Sequence, residues 1–274
     1  MYDGRRRCSN GQVQANKKSV PPPPASSAES LPLYRQVKRE LQNIMEAGHY
    51  GPGKPLPSEA TLARELQVSI GTLRHAVDEL VHEHVLVRRQ GKGTFVAPHN
   101  RARFMFQFFH VEPRWDPEDD TPKEPEFPDI QCMAFSRDKA DEAEARALRI
   151  RRGETVFRIE NRLALRGRVV VHDRLALSAA MFRNLTEKRF VERPGTIYAL
   201  FQTDFGITVL RAQERARAAA AGKAVARVLG VAAGAPVMEV HRLALTFGDK
   251  PVEYRVSTIN TEAHDYVSML SKAP

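Results

Sequence analysis

The sequence predicts an α+β protein with two folded domains. Its 274 residues exceed the roughly 100–150 residues that one domain needs. Residues 31–97 combine helical apolar spacing with two short strand-like segments at their end. Later residues alternate long strand-like segments with shorter helical ones, and adjacent long strands favour an antiparallel sheet. We therefore predict a tail (1–30), a first domain (31–97), a linker (98–129) and a second domain (130–271).

Composition excludes several classes of protein. Hydrophobic residues make up 42% of the chain and charged residues 27%, as in ordinary globular proteins. No apolar run reaches the ~20 residues that cross a bilayer, and no apolar segment follows the basic residues 5–7. Cys8 and Cys132 form neither a disulfide framework nor a metal-ligand spacing. We expect a cytoplasmic protein with no membrane partner, no metal and no cofactor.

Positive charge is concentrated in the first third of the chain. Residues 1–103 contain 16 Lys and Arg against 9 Asp and Glu, whereas the remaining residues are nearly balanced. Localised positive charge suits a polyanionic partner, because neutralising phosphates releases counterions. A solvated basic surface without a partner explains the same charge, so charge alone leaves both interpretations open.

The tail and the linker carry little regular pattern. Residues 1–30 include the run Pro21 to Pro24 and few large apolar side chains, which predicts disorder. This tail is either a basic arm that touches DNA or an inert terminus. Residues 116–128 are rich in acid and proline, which is typical of a linker or a mobile loop.

The first domain shows three helices followed by a hairpin. Apolar residues at helical spacing predict the first helix, and Ser58 and Ser69 are good N-caps for the next two. Residues 67–68 form the tight turn between helices two and three. Strand-like residues 85–87 and 94–96 flank a basic, glycine-containing turn.

This order of elements is typical of a winged helix-turn-helix, whose second helix enters the major groove. Small residues and free N–H groups at the start of that helix permit a close approach to phosphate, and an arginine one turn later reaches a base edge or a phosphate. The hairpin supplies a basic wing. The candidate DNA contacts are Ser69, Gly71, Thr72, Arg74, Arg88, Arg89, Gln90 and Lys92. Each of them has a simpler explanation as a helix cap or a solvated side chain.

The first domain resembles the DNA-binding domain of the GntR family. The matching residues run from Leu56-Pro57-Ser58-Glu59 through Val68-Ser69 and Thr72-Leu73-Arg74 to Arg89-Gln90-Gly91-Lys92-Gly93-Thr94-Phe95-Val96. The resemblance implies that Ser69, Thr72 and Arg74 contact operator DNA. It also places Gly91 at the wing tip and adds Ser58 to the expected contacts.

Two positions depart from the family pattern. The family commonly has arginine directly after the serine that starts the recognition helix, where this chain has Ile70. It commonly has arginine after Pro-Ser-Glu, where this chain has Ala60. Because both are usual DNA contacts, we expect an unusual operator or weaker binding; one lost base contact costs about 1–3 kcal/mol.

The second domain alternates predicted strands and helices. Predicted strands are 130–136, 154–165, 169–177, 207–217, 236–246 and 252–259. Predicted helices are 138–148, 179–186, 196–204 and 221–229. Gly167 and Gly248-Asp249 fall where hairpin turns are needed between neighbouring strands.

This domain resembles the UTRA effector-binding domain of the HutC-like GntR subfamily, which has a chorismate-lyase-like α+β fold. The resemblance rests on ordered matches that include Gly153-Glu154, Gly195-Thr196-Ile197-Tyr198, Phe205-Gly206-Ile207, Gly234-Ala235-Pro236-Val237 and Pro251-Val252-Glu253. It implies a small polar or anionic effector. The candidate effector-binding residues are Arg162, Thr196, Tyr198, Glu214, Arg242, Glu253 and Arg255.

Arg162 and Arg242 would clamp a carboxylate or phosphate. The family often has a second arginine two residues after the first, and Ala164 stands there, which argues against a phosphate. In the alternative interpretation, the charged candidate residues pair with one another across the sheet and bind no ligand. His172-Asp173 resembles a base and its orienter, but adjacent strand residues face opposite sides, and no other catalytic motif is present.

The sequence thus predicts a transcriptional regulator, by family habit a repressor, and not an enzyme. Its partners would be double-stranded operator DNA, a small-molecule effector and a second copy of itself, a homodimer on an inverted repeat. Effector binding would act on the DNA-binding domains through the 98–129 linker. Two alternatives remain: a regulator with a non-functional pocket, and a lyase-like enzyme with a passenger DNA-binding module.

Overall fold

The computed structural model describes residues 31–47, 49–50, 53–115, 117 and 126–268, with only the backbone of Phe106. The predicted tail and most of the acidic, proline-rich stretch lie outside these residues. The first domain contains three helices and a two-stranded antiparallel hairpin, namely α1 (Leu33–Glu46), α2 (Glu59–Glu65), α3 (Ile70–His82), β1 (Leu86–Arg89) and β2 (Gly93–Val96).

The remaining elements follow in chain order. The helices are α4 (Arg101–Gln107), α5 (Glu142–Leu148), α6 (Glu187–Val191), α7 (Ile197–Phe205) and α8 (Lys223–Leu229). The strands are β3 (Val111–Pro113), β4 (Asp129–Lys139), β5 (Thr155–Leu165), β6 (Arg168–Ser178), β7 (Arg211–Ala220), β8 (Pro236–Leu245), β9 (Pro251–Ile259) and β10 (His264–Tyr266). A short 3-10 turn, Phe247–Asp249, joins β8 to β9.

The helix-turn-helix forms as its caps and spacing predict. The hydroxyls of Ser58 and Ser69 accept hydrogen bonds from the backbone N–H groups of Thr61 and Thr72, each at 3.1 Å. Gln67 adopts a positive φ of 54°, which turns the chain sharply between α2 and α3. The apolar faces of α1 and α3 meet in a buried core, whose largest fully buried side chains are Leu41, Leu62, Leu73, Leu80 and Leu86.

The wing is a tight hairpin that requires glycine. Arg89 pairs with Gly93 in the last register position of β1 and β2. Gly91 and Gly93 have φ values of +69° and +106°, where side chains other than glycine are strained. The turn therefore holds Lys92 between two backbone positions that only glycine adopts at low cost.

Residues 98–115 were predicted as linker but carry regular structure. Asn100 caps α4 by accepting a hydrogen bond from the backbone N–H of Arg103 at 2.8 Å. Strand β3 pairs with β10 near the other end of the chain. Phe104 and Phe108 are buried in the core of the second domain, so this segment is fixed by aromatic burial. That burial, and not a regular polar pattern, gives it structure.

The second domain is built on an antiparallel sheet of six strands in the order β4-β5-β6-β9-β8-β7. Helices α4, α6 and α7 contribute to the main core on the inner face of this sheet, whereas α5 and α8 pack in small clusters on the outer face. The helix predicted at 179–186 is wrong. Those residues form turns with Asn184 at a positive φ, and the helix begins only after the Thr186 cap.

The second domain also contributes to the core of the first. Phe247, in the turn between β8 and β9, is only 4% exposed and packs among the buried residues of the helix-turn-helix. Leu210 packs against the same cluster. The two domains are therefore in hydrophobic contact through these residues. Within the described part of the chain, no helix is both long and apolar enough to cross a membrane.

Candidate functional site

The predicted DNA-reading residues gather at the start of α3. Ser69 and Gly71 are exposed, and the Ser69 hydroxyl lies 2.9 Å from that of Thr72. The first N–H groups of a helix have no partner within it, so they and these small side chains form a surface that a phosphate can approach. Ser58 has the same capping geometry at the start of α2, where its hydroxyl lies 2.8 Å from that of Thr61.

One carboxylate joins the recognition helix to the wing. Glu59 accepts hydrogen bonds from Arg74 Nε and from Arg88 Nη2, each at 3.0 Å. Arg88 also donates to Asp78 at 2.5 Å. These ion pairs are partly exposed, so they are weak individually and DNA phosphates can replace the carboxylates as partners. They place the α3 and β1 arginines on one surface.

The wing tip carries the remaining predicted contacts. Arg89, Gln90, Gly91 and Lys92 are exposed. The Arg89 guanidinium lies over the Phe95 ring, 5.0 Å from its centroid, which orients it at the base of the turn. Ile70, where the family commonly has arginine, is an apolar side chain at the start of α3 and is 47% exposed. Ala60 is also exposed.

A second candidate site lies on the inner face of the large sheet. Charged side chains, which are usually exposed, form a continuous row there across β7, β8, β9 and β6, and all of them are buried except the half-buried one on β7. We call this set the inner polar row; it consists of Glu214, Arg242, Glu253, Arg255 and Asp173. Charged side chains are rarely buried unless they are paired, so the row requires internal partners or a ligand.

Arg255 is the centre of the inner polar row. Its Nε and Nη2 donate to the two carboxylate oxygens of Glu253 at 2.9 and 3.1 Å, and its Nη1 donates to Asp173 at 2.9 Å. Ser257 donates to the other oxygen of Asp173 at 2.5 Å. Burial opposes the charge of Arg255, yet the two carboxylates raise its pKa above the ordinary value.

Two tyrosines donate to carboxylates of the row. The Tyr198 hydroxyl, on α7, donates to Glu253 at 3.1 Å, and Tyr266 donates to Glu214. Burial and the neighbouring carboxylates raise the pKa of both phenols, so both act as neutral donors. Arg242 Nε donates to Glu214 at 2.5 Å. Although burial opposes ionisation, Arg242 holds the pKa of Glu214 below its ordinary value.

Two predicted effector residues lie elsewhere. Arg162 is exposed and donates to Gln131 at 2.6 Å, on the opposite face of β5 from the buried Asn161 and Leu163. The structure therefore does not bring Arg162 together with the inner polar row. Thr196 is buried, but its hydroxyl caps α7 by accepting a hydrogen bond from the N–H of Ala199 at 3.1 Å. The same hydroxyl donates to the carbonyl of His99, three residues after the wing.

Sequence reasoning missed three polar residues of this face. Asp173 was considered only as part of a His172-Asp173 pair, whereas its strand neighbours on the same face, Val171 and Leu175, are apolar. Asp173 follows the same two-residue alternation as these buried apolar residues, and this pattern could have predicted from the sequence that its carboxylate is buried. Asn161 has the same phase within β5. Arg193, in the loop between α6 and α7, gave no such signal because loop residues have no periodicity.

Helix α7 contacts the chain that leaves the wing. Gln202 accepts a hydrogen bond from the N–H of His99 at 3.2 Å and donates to the carbonyl of Ala97 at 3.1 Å. The Thr196 hydroxyl donates to the carbonyl of His99 at 3.3 Å. Burial, with the charge of Arg103, lowers the pKa of His99 to about 3, so the imidazole is neutral. Helix α7, which bears Tyr198, is thus hydrogen-bonded directly to the segment that follows the DNA-binding domain.

Comparison with known families separates the chain into the same two domains. Residues 33–96 match the model of bacterial regulatory proteins of the gntR family, and residues 127–265 match the UTRA domain. Among the described residues, no group of His, Cys, Asp or Glu side chains is arranged to hold a metal ion.

Individual proteins give the same picture. The chain is 42% identical over 71 residues to YurK, an uncharacterised HTH-type transcriptional regulator of Bacillus subtilis, which covers 26% of this chain and 29% of YurK. It is 30% identical over 144 residues to the histidine utilization repressor of Pseudomonas putida, which covers 50% of this chain and 56% of that repressor.

A solved structure matches the second domain. The ligand-binding domain of a GntR-family transcriptional regulator from Bordetella bronchiseptica superposes with a TM-score of 0.55 at 32% identity, covering 61% of this chain and 99% of that domain. The two curated relatives are thus matched over less than two thirds of their length, while the ligand-binding domain is matched over nearly all of its own.

Proposed function

Because the chain belongs to the GntR family of bacterial regulatory proteins and carries a UTRA domain, we propose that it represses transcription from operators that it releases on binding a small metabolite. The families and the named relatives are DNA-binding transcriptional regulators and not enzymes, as the sequence predicted. The proposal assigns operator contact to α3 and the wing, and effector binding to the inner face of the second domain.

The observation that carries the proposal is the position of Glu59 between Arg74 and Arg88. A single carboxylate holds both arginines close together, which supports a shared DNA surface on the recognition helix and the wing. In this proposal the two arginines exchange Glu59 for phosphates or base edges when DNA binds. Ser58, Ser69, Gly71, Thr72 and the wing residues 89–92 supply the neighbouring backbone contacts.

Effector and operator binding would be coupled through α7. Tyr198 on this helix reaches Glu253 in the inner polar row, and Gln202, one turn further, holds Ala97 and His99. A ligand that moves α7 by a fraction of an ångström would change the hydrogen bonds that fix the end of the wing. Further along the chain, Arg242 donates to the carbonyl of Phe108, at the end of α4, at 2.5 Å. This is a physical connection between the two sites, as coupling requires.

Two copies of the chain would bind one operator. A single helix-turn-helix reads only a half-site, and a two-fold pair reads an inverted repeat with half-sites about one helical turn or more apart. We propose a homodimer in the cytoplasm, where operator DNA and metabolites are both accessible. Chemical cross-linking or sedimentation of the full chain, with and without DNA, tests the dimer.

The proposal is tested by gel shift with the DNA upstream of the gene for this chain. The wild-type chain should form a salt-sensitive complex that a scrambled duplex of equal length does not displace. Lys92→Ala should weaken binding to all duplexes and reduce the slope of log affinity against log salt by about 1, because one phosphate contact is lost.

Arg152→Ala is the matched control, since it removes an equal charge from an exposed loop of the second domain. Its affinity and salt slope should equal those of the wild-type chain. Equal salt slopes for the Lys92 and Arg152 variants would argue against the wing as a DNA contact.

One observation favours a second candidate function, a DNA-binding regulator whose effector pocket is non-functional. Every charged group of the inner polar row has an internal partner, since Arg255 is paired with Glu253 and Asp173 and Arg242 with Glu214. Such a row is stable without any ligand. A protein of this kind would bind its operator but would show no ligand-dependent change in stability.

A further inference from the structure

The start of α3 carries an apolar side chain on the surface assigned to DNA. Ile70 is the first residue of this helix and is 47% exposed, whereas Leu73 and Val77 of the same helix are 0% and 1% exposed. A single exposed apolar residue needs no explanation in itself. The position of Ile70 distinguishes it, because the N-terminal residues of a recognition helix contact the edges of bases.

Ile70 and Arg74 share one face of α3. They stand four residues apart, so their side chains are neighbours on the helix surface. The Arg74 guanidinium is directed to Glu59, which also accepts a hydrogen bond from Arg88 of the wing. Ile70 therefore borders the surface on which these charged side chains meet.

The residue after Ile70 is a glycine that the fold does not require. Gly71 lies within α3 without a positive φ, and a Cβ at this position would lie 3.8 Å from the Ser69 hydroxyl oxygen, an ordinary contact distance. Glycine is among the least favourable residues inside a helix. The fold therefore tolerates a side chain here, and the absence of one leaves the backbone beside Ile70 open to close approach by another molecule.

An apolar side chain recognises one chemical feature of the major groove. Thymine presents a C5-methyl group there, whereas the other groups along the base edges are hydrogen-bond donors and acceptors. The side chain of Ile70 can neither donate nor accept a hydrogen bond. If it covered a polar base edge, it would displace water from that edge and leave its groups unpaired, which costs free energy. Ile70 therefore favours a base pair that presents a methyl group.

We propose that Ile70 is a specificity-determining residue that packs against the methyl group of a thymine in the operator half-site. One helical turn rises about 5.4 Å and one base pair about 3.4 Å, so this thymine lies within about two base pairs of the position that Arg74 contacts. Gly71 permits the close approach that the methyl contact needs. This inference rests on the proposed function, because it names a base that α3 reads in the operator.

Selection of bound duplexes from a random pool by the full chain identifies the base pair. Ile70→Ala should relax the preference at a half-site position where the wild-type chain selects thymine, because the shorter side chain no longer reaches the methyl group. This position should adjoin the one that Arg74→Ala relaxes. Val191→Ala is the matched control, since Val191 is a 52% exposed apolar residue of α6 in the second domain. It should select the same sequences as the wild-type chain.

Base analogues in the selected duplex test the methyl group itself. Deoxyuridine in place of the thymine removes only the methyl group and keeps every hydrogen-bonding group of the base. In gel shifts, this replacement in one half-site should weaken wild-type binding roughly four-fold, the effect of one buried methyl-sized group, and should not affect Ile70→Ala. A C·G pair at this position should also bind more weakly, and 5-methylcytosine in place of the cytosine should recover part of the loss.

Gly71→Ala separates the requirement of the fold from that of DNA binding. The variant should raise the Tm of the chain without DNA, because alanine is favoured over glycine in a helix. It should nevertheless weaken binding to the selected duplex several-fold, because the added methyl group stands where α3 approaches the bases.

The proposal is overturned if Ile70→Ala selects the same sequences as the wild-type chain, or if the position that it relaxes is not thymine. Deoxyuridine that weakens both chains equally, or neither, also overturns it, as does a Gly71→Ala variant that binds as tightly as the wild-type chain. In each of these cases the wild-type chain still selects a sequence, so the operator function stands. A wild-type chain that enriches no sequence rejects the proposed function and this inference together.

Discussion

Replacement of Phe247 by alanine is expected to destabilise the helix-turn-helix domain by about 3–5 kcal/mol, although Phe247 lies in the second domain. The ring is 4% exposed and packs in the core formed by α1, α3 and their neighbours. Truncation leaves a cavity in that core and removes an apolar contact between the domains. The strands on either side of Phe247 carry Arg242 and Glu253, so the same contact ties the inner polar row to the DNA-binding domain.

Hydrogen exchange measures this effect where it is expected. The amides of α1 and α3 should lose protection in Phe247→Ala, because the local free energy of opening falls. Phe190→Ala is the matched control, since Phe190 is fully buried in the core of the second domain alone. It should lower protection around the large sheet and leave α1 and α3 protected. Unchanged exchange in α1 and α3 of Phe247→Ala would show that the domains are not joined through this ring.

Replacement of Arg255 by methionine should lower the free energy of unfolding by about 3–5 kcal/mol, because it leaves Glu253 and Asp173 buried without their cation. The side chains of Arg255 and Glu253 are 6% and 0% exposed, so water cannot take the place of the guanidinium. Urea unfolding at neutral pH measures the loss.

Arg217→Met provides a matched control on the edge strand β7 of the same sheet. Arg217 also pairs with a glutamate, Glu239, but its side chain is 65% exposed. Exposed ion pairs contribute about 0–1 kcal/mol, so this variant should be nearly as stable as the wild-type chain. Equal losses for the two variants would mean that burial does not set the strength of the inner polar row.

The sequence predicted the first domain closely because its signals are local. Ser58 and Ser69 cap the helices that they were expected to cap, and the hairpin glycines occupy the positive-φ positions that such a turn needs. The six long strands of the second domain were also placed within a few residues, since their alternation persists over many positions. The roles of the predicted DNA contacts stay predictions.

What the sequence could not supply depends on contacts between distant residues. Nothing local shows that Phe247, in a turn of the second domain, belongs to the core of the first. Segment 98–115 shows no regular alternation of polar and apolar residues, although Phe104, Phe108 and Phe109 are buried in the core of the second domain. Arg162 was predicted from its position in the family motif. The apolar residues Ile159 and Leu163 alternate in phase with Asn161 and show that the opposite face of β5 is the buried one.

The most direct test of the central claim is selection of bound sequences from a pool of random duplexes by the full chain at physiological salt. If α3 and the wing of two copies read DNA together, the enriched duplexes will share an inverted repeat, and Arg74→Ala will weaken or relax its preference within each half-site. Recovery of the pool without enrichment, or equal enrichment by wild type and Arg74→Ala, would contradict the assignment of this surface to operator recognition.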